Sequence, residues 1–349
     1  MPARQGSKHH DLALGLLLPL AVVAVLLAAY YCIWRRGGEP LVVYCAHDSV
    51  YSQDILRDFE DATGIPVAVR FDTEATKSLG LVELLVREKA RPRCDVFWNN
   101  ELLGTMDLQE QGVLEPYKGT GFERIPDGFK DPEGYWAGFA ARLRVYIVNV
   151  DRMAGTEQAV AEALEGDLSR VAMAKPLYGT TLTQYSVLWN LWGSERLKEW
   201  HDDWRARGVC EVTGNAQVKN LVAQGKCDLG LTDTDDFFVA KDEGHSVTAV
   251  PVRLDDGAVI CIPNTVAVIR GTGRPKEAHR LVDYLLSEDC EMALAACSSR
   301  QVPLGTVDES RLSNEVRMLK GWARAGTPLS SLGPARAACL AWLTQEYGR

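Results

Sequence analysis

The sequence has no CxxC pair and no cysteine–histidine cluster at zinc spacing, so it is not organised around a metal staple. It has no G-x-S-x-G elbow, no P-loop and no G-x-G-x-x-G fingerprint. The common signatures of α/β-hydrolase, nucleoside-triphosphatase and dinucleotide chemistry are therefore missing. His47, Asp48 and Ser49 match a catalytic triad by residue type alone, because neighbours on one loop do not present a relay. An enzyme is not expected. The lack of internal repeats, low-complexity runs and heptads excludes solenoids and coiled coils. Positive charge is also scarce: 38 Lys and Arg stand against 47 Asp and Glu, a net charge of −9, which disfavours nucleic-acid binding.

What remains is an ordinary globular composition, 46% hydrophobic and 24% charged over 349 residues, long enough for two domains. The N-terminus is the exception. Leu12 to Trp34 runs 23 residues without a charge, between Arg4 and Lys8 on one side and Arg35 and Arg36 on the other. That length spans a bilayer, and the aromatic edge of Tyr30, Tyr31 and Trp34 fits a membrane interface better than a cleavage site. An uncleaved signal anchor over residues 1–36 is expected, with a cleaved signal peptide as the alternative. Without those residues the chain keeps 34 basic and 46 acidic side chains, net −12, a plausible receptor for cations. Eight of the nine cysteines lie beyond this segment. In an oxidising compartment Cys45 with Cys94 and Cys210 with Cys227 are candidate pairs, while Cys290 and Cys297 lie too far apart on one helix; buried free thiols are the alternative.

Short apolar strands alternate with helical spacing along the rest of the chain, which predicts an α/β fold of parallel, doubly wound lobes. Ligands in such sheets bind outside the carboxyl ends of the strands, so the strand exits carry the candidate site. In the first part they present His47 with Asp48, Asp72 with Glu74, and Asn99 with Glu101. In the second, Gly179-Thr180-Thr181 and Thr213-Gly214-Asn215 open helices whose free N–H groups favour an anion. The densest exit is Gly225–Phe238, where a strand over Cys227–Leu231 runs into Thr232, Asp233, Thr234, Asp235 and Asp236. Each acidic group taken alone can equally be a helix cap. Arg142 and Arg144 share one face of a long strand over Ala140–Val150, and extended crossings near Ala140 and Asn264 make two lobes around a cleft.

The segments VVYCAHDSVYSQDILRDFEDATGIPVAV, CDVFWNNELLGTMDLQEQGVLEPY, FAARLRVYIVN, KPLYGTTLT, TGNAQVKNLVAQGKCDLGLTDTDD and PNTVAVIRGTGRPKEAHRLVDYLLS carry a resemblance. They resemble the periplasmic solute-binding proteins of ABC importers, type II fold, and within them the iron(III)-binding branch. The resemblance implies two lobes: residues 37–141 with about 264–305, and 142–263. Residues 306–349 form C-terminal helices of unassigned lobe. It also implies a monomer on the outer face of the cytoplasmic membrane, held by its N-terminal helix, that delivers a ligand to permease and ATPase subunits. The resemblance places His47 within one position of the family's iron-binding His and Glu74 in the loop that carries its Glu, whereas Thr234 and Asp235 stand about where the family has adjacent tyrosines. Asp235 and Asp236, beside Asp233, offer hard oxygen ligands to iron(III) or another cation instead. Thr180, Thr181, Gly214 and Asn215, with Arg142 or Arg144 as counter-charge, offer a place for a synergistic anion. A phosphonate, carboxylate or polyamine as ligand, or a membrane-anchored sensor, is the alternative reading.

Overall fold

The computed structural model describes residues 39–72 and 79–348. The Leu12–Trp34 segment lies outside the described residues, and among those described no helix is long and apolar enough to cross a membrane.

Ten strands form one continuous sheet that two lobes share. In lobe 1, β1 (Leu41–Cys45) runs parallel to β2 (Val67–Phe71) and β3 (Val96–Asn99). The β1–β2 connection is the Ser49–Thr63 helix, whose stripe of Ile55, Leu56 and Phe59 is buried on the sheet. It stops at Gly64, which takes φ 68° and returns its N–H to Glu60 O. β4 (Leu114–Glu115) pairs with β10 (Cys261–Ile269), which also runs antiparallel to β3. β5 (Ala137–Asn149) pairs with β10 and then continues into lobe 2 beside β8 (Leu229–Asp233) and β9 (Val247–Pro251). β6 (Val171–Ala174) lies parallel to β8 and to β7 (Cys210–Val212). Leu41, Phe59, Trp98, Phe139 and Leu281 anchor one core, and Val145, Ile147, Val218 and Phe238 another.

The acidic stretch differs from its expected form. Asp233 is the last residue of β8, and the Thr234–Asp242 helix begins immediately, so no loop intervenes. The crossing expected near Asn264 lies within one strand, β10, with a register shift between Pro263 and Asn264.

All eight described cysteines are free thiols. Register explains the first expected pair: Cys45 aligns with Trp98 and Val43 with Val96, so Cys94 lies at the far end of β1, about 13 Å away at the strand rise. Cys210 and Cys227 do meet, as hydrogen-bonded thiols, with burial and then Cys210 pushing Cys227 up to about 11.

The C-terminal helices touch both lobes. In the Asn314–Ala323 helix, Leu319 enters the lobe 2 core, while Val316 packs with Met292 and Ala295 of lobe 1. The Gly333–Tyr347 helix lies along the long Gly179–Ala206 helix, which kinks at Gly193, and its Arg336 pairs with Asp107. At this seam His201 is buried edge-on against Trp342 and Tyr347, with Nδ1 2.9 Å from Tyr185 Oη. Burial lowers its pKa; Arg205 acts in the same sense, and Glu211, Asp202 and Glu346 oppose it. The unfolded chain therefore binds a proton more readily than the folded one. The stability this contributes is present above the unfolded value of about 6.5 and is lost as pH falls through the lower folded value. Urea midpoints should fall as pH drops below about 6.5, and His201→Gln should flatten that slope; an unchanged slope would contradict this assignment.

Candidate functional site

Lobes 1 and 2 enclose a cavity of about 270 Å³ at the carboxyl ends of their strands. Its lobe 2 wall is built by register. Arg144 on β5 lies directly opposite Asp233 on β8, and Arg142, two residues earlier, projects on the same face. Arg144 Nη1 reaches Asp233 Oδ1 at 2.8 Å, and its Nε donates to Gln184 Oε1 at 2.9 Å. The second oxygen of Asp233 accepts from Thr180 Oγ1 at 2.6 Å and Asn215 Nδ2 at 2.9 Å. Asp233 thus makes no capping bond to the helix it precedes. It is the buried hub that ties two helix starts to β5.

Arg142 takes a different position. Its Nε lies 3.6 Å from Asp233 Oδ2 and 3.7 Å from Asp235 Oδ2, and its Nη2 donates across the cleft to the Asn100 carbonyl of lobe 1. Nη1 has no hydrogen-bond partner among the described residues, although Arg142 is 3% exposed and lines the cavity. A buried donor of that kind is open to an oxygen from a ligand or a water in the cavity.

Around it stand the starts of the Gly179–Ala206 and Asn215–Ala223 helices. Gly179 sits at φ 52°, a conformation costly for any residue with a Cβ, and this turn presents Thr180 and Thr181 to the cavity. Asp233, Asp235 and Asp236 form a cluster whose oxygens lie within 4.8 Å of one another. Asp236 also accepts from Thr232 Oγ1 at 2.7 Å. One wall therefore offers carboxylates and, beside them, a guanidinium and helix N-termini.

From lobe 1, His47, Asp48, Tyr51 and Asn100 face the cavity. Both His47 ring nitrogens are engaged: Nε2 lies 2.5 Å from Gln301 Nε2, and Nδ1 lies 3.3 Å from Asp48 O. Two expected contacts lie elsewhere. Asp72 accepts from Leu81 N at 3.3 Å, and Glu101 accepts from Leu103 N and Gly104 N at the start of the Leu103–Glu110 helix; neither lines the cavity. Glu74 lies outside the described residues.

The cavity also holds residues that strand-exit reasoning passed over. Lys175 directly follows β6, and Lys219 is one turn beyond Asn215. Tyr178 precedes Gly179. Tyr51 stands three residues after Asp48, on the same face of the first helical turn, a spacing visible in the sequence. Burial, followed by Asp235, Asp48 and Asp236, pushes the Tyr51 phenol far above its ordinary range. Without a cation it stays neutral.

The family model for bacterial extracellular solute-binding proteins matches residues 41–296. The chain is a bacterial extracellular solute-binding protein. Among curated relatives, "Iron uptake protein A1" of Synechocystis is 23% identical over 317 residues, 86% of this chain and 84% of that protein. Iron-bound HitA from Pseudomonas aeruginosa superposes with a TM-score of 0.77 at 22% identity, covering 89% of this chain and 99% of that one. AfuA from Actinobacillus pleuropneumoniae, solved with fructose 6-phosphate, gives 0.74 at 17% identity over 88% and 98%. This solute-binding protein shares their two-lobed type II fold, and its family is extracellular.

The Asp233 hub makes a stability prediction. Arg144→Met leaves a buried carboxylate short of its closest counter-charge and should lower the unfolding free energy by about 3–5 kcal/mol. Adding Asp233→Asn, which keeps the Thr180 and Asn215 contacts, should recover part of that loss in urea unfolding; strictly additive losses would contradict the hub.

Proposed function

We propose that this protein is the solute-binding component of an ABC importer that captures iron(III) with a bridging anion in the interlobe cleft. The permease and ATPase subunits are its expected partners, and the apolar segment around Leu12–Trp34 its membrane anchor. The observation that carries the reading is the bipolar wall: Asp235 and Asp236 beside the half-unpartnered, buried guanidinium of Arg142. Asp235, Asp236 and Tyr51 supply hard oxygen donors for the cation. Arg142 Nη1, Thr180, Thr181 and the Gly214–Asn215 helix start supply donors for the anion. A ferric ion also supplies the positive charge that the Tyr51 phenol lacks among three carboxylates, so the ion favours phenolate formation on binding. A relative named for iron uptake and a solved structure with iron bound support the cargo.

A phosphorylated sugar is the second reading. Lys175 and Lys219 on the cavity wall favour it, as does the fructose 6-phosphate bound to AfuA.

Titration of the metal-stripped chain with iron(III) citrate should give one-to-one uptake and a visible phenolate-to-iron band. Tyr51→Phe should abolish the band, and Asp235→Asn with Asp236→Asn should weaken uptake by about a hundredfold, the scale of losing charged contacts. Absence of iron uptake together with stoichiometric fructose 6-phosphate binding would replace the first reading by the second.

A further inference from the structure

We propose that His47 acts as a positioning residue, the cleft end of a buried hydrogen-bond chain running through Gln301 to both interlobe crossing strands, so that Gln301 couples occupation of the cleft to the lobe angle. The proposal does not depend on which solute fills the cleft.

Two strands pass between the lobes at one place, and a third segment packs on them. β5 crosses at Ala140, β10 crosses at its Pro263–Asn264 irregularity, and the chain leaving the Glu288–Ala296 helix lies against them at Gln301–Val302, where Val302 and Ala141 exchange backbone hydrogen bonds of 2.7 and 2.8 Å before the chain returns to Glu291 at Leu304 and Gly305. Side chains join the three. Asn264 Nδ2 donates to the Ala140 carbonyl and to Gln301 Oε1, the latter at 2.8 Å. That contact orients the Gln301 amide, leaving its Nε2 as the donor aimed at His47 Nε2, 2.5 Å away. His47 Nε2 is then the acceptor nitrogen and the ring proton sits on Nδ1, beside Asp48 O. Gln301 and Asn264 are fully buried and His47 nearly so, yet His47 lines the cavity.

Backbone strain marks the same place. Ala140 at φ 42° and Arg300 at φ 45° are the non-glycine residues with positive φ among those described; Ala140 lies in the β5 crossing and Arg300 directly precedes Gln301. Ala140 is held there by Glu291, whose fully buried carboxylate accepts from Ala140 N at 2.9 Å and pairs with Arg124 at 2.8 Å. Asn264 Oδ1 is buried with no hydrogen-bond partner among the described residues. Strained, over-determined residues with a spare buried acceptor are what a hinge with two arrangements requires. A solute pressing on His47 displaces the end of the chain that fixes this geometry.

The test is hydrogen exchange on the full, metal-stripped chain, read at the amides of residues 139–143, for His47→Ala, Gln301→Leu and the double variant. Each single change should speed exchange by about five- to tenfold, the effect of one lost buried hydrogen bond. The double should be no faster than either single, because both cut the same chain. Gln301→Glu keeps the bond from Asn264 and pairs with the opposite His47 tautomer, so it should return exchange to near the parental rate. Unchanged exchange in His47→Ala, or rates that multiply in the double, would overturn the proposal. Should Gln301→Leu fail to fold, the His47→Ala result decides alone.

Discussion

A single buried carboxylate holds the binding lobe in shape. Asp233 ends β8 opposite Arg144 and is closed in by Thr180 and Asn215, so the charge that a strand exit offers to a ligand is consumed within the protein. Burying such a pair is favourable only when the remaining lone pairs and protons are satisfied; here each carboxylate oxygen has a donor, while Arg144 Nη2 has no partner among the described residues. The consequence is positional. Thr180 and Asn215 are fixed at the starts of two helices, and both N-termini point at the same cavity. Arg142, on the same face of β5 but one pleat nearer the other lobe, keeps a donor for something else.

Much of this was legible in the sequence, since the two-lobed α/β architecture followed from alternating apolar strands and helical stripes. The common face of Arg142 and Arg144 followed from a period of two. What pattern could not separate was which carboxylates serve the fold. Asp233, Asp235 and Asp236 look alike as residues, and only the β5–β8 register shows that Asp233 is the internal one. Glu101 reads as a strand-exit ligand but folds back onto the N–H groups of Leu103 and Gly104. The Cys45–Cys94 pairing failed for the related reason that strand ends depend on direction as well as adjacency. Gln301 was out of reach, because its partner His47 lies 254 residues away.

Two demands meet in the cleft. The cleft places the carboxylates of Asp233, Asp235 and Asp236 close to one another, and the protein offsets this with guanidinium groups and helix dipoles on the same wall. A site that opens and closes also has to report its state to the crossings, and the strain at Ala140 and Arg300 lies beside the residues that line it. Tyr51 on lobe 1 faces the carboxylates of lobe 2, so the proposed cation would draw on both walls at once.

Thermal unfolding of the metal-stripped chain bears most directly on the paired site. Samples with ferric ion, with inorganic phosphate, and with both together are compared at matched concentrations, since a ligand specific to the folded state raises the midpoint by mass action. The account predicts a rise with both that exceeds the sum of the separate rises. Equal rises with and without the anion, or a rise with fructose 6-phosphate and none with iron, would contradict it.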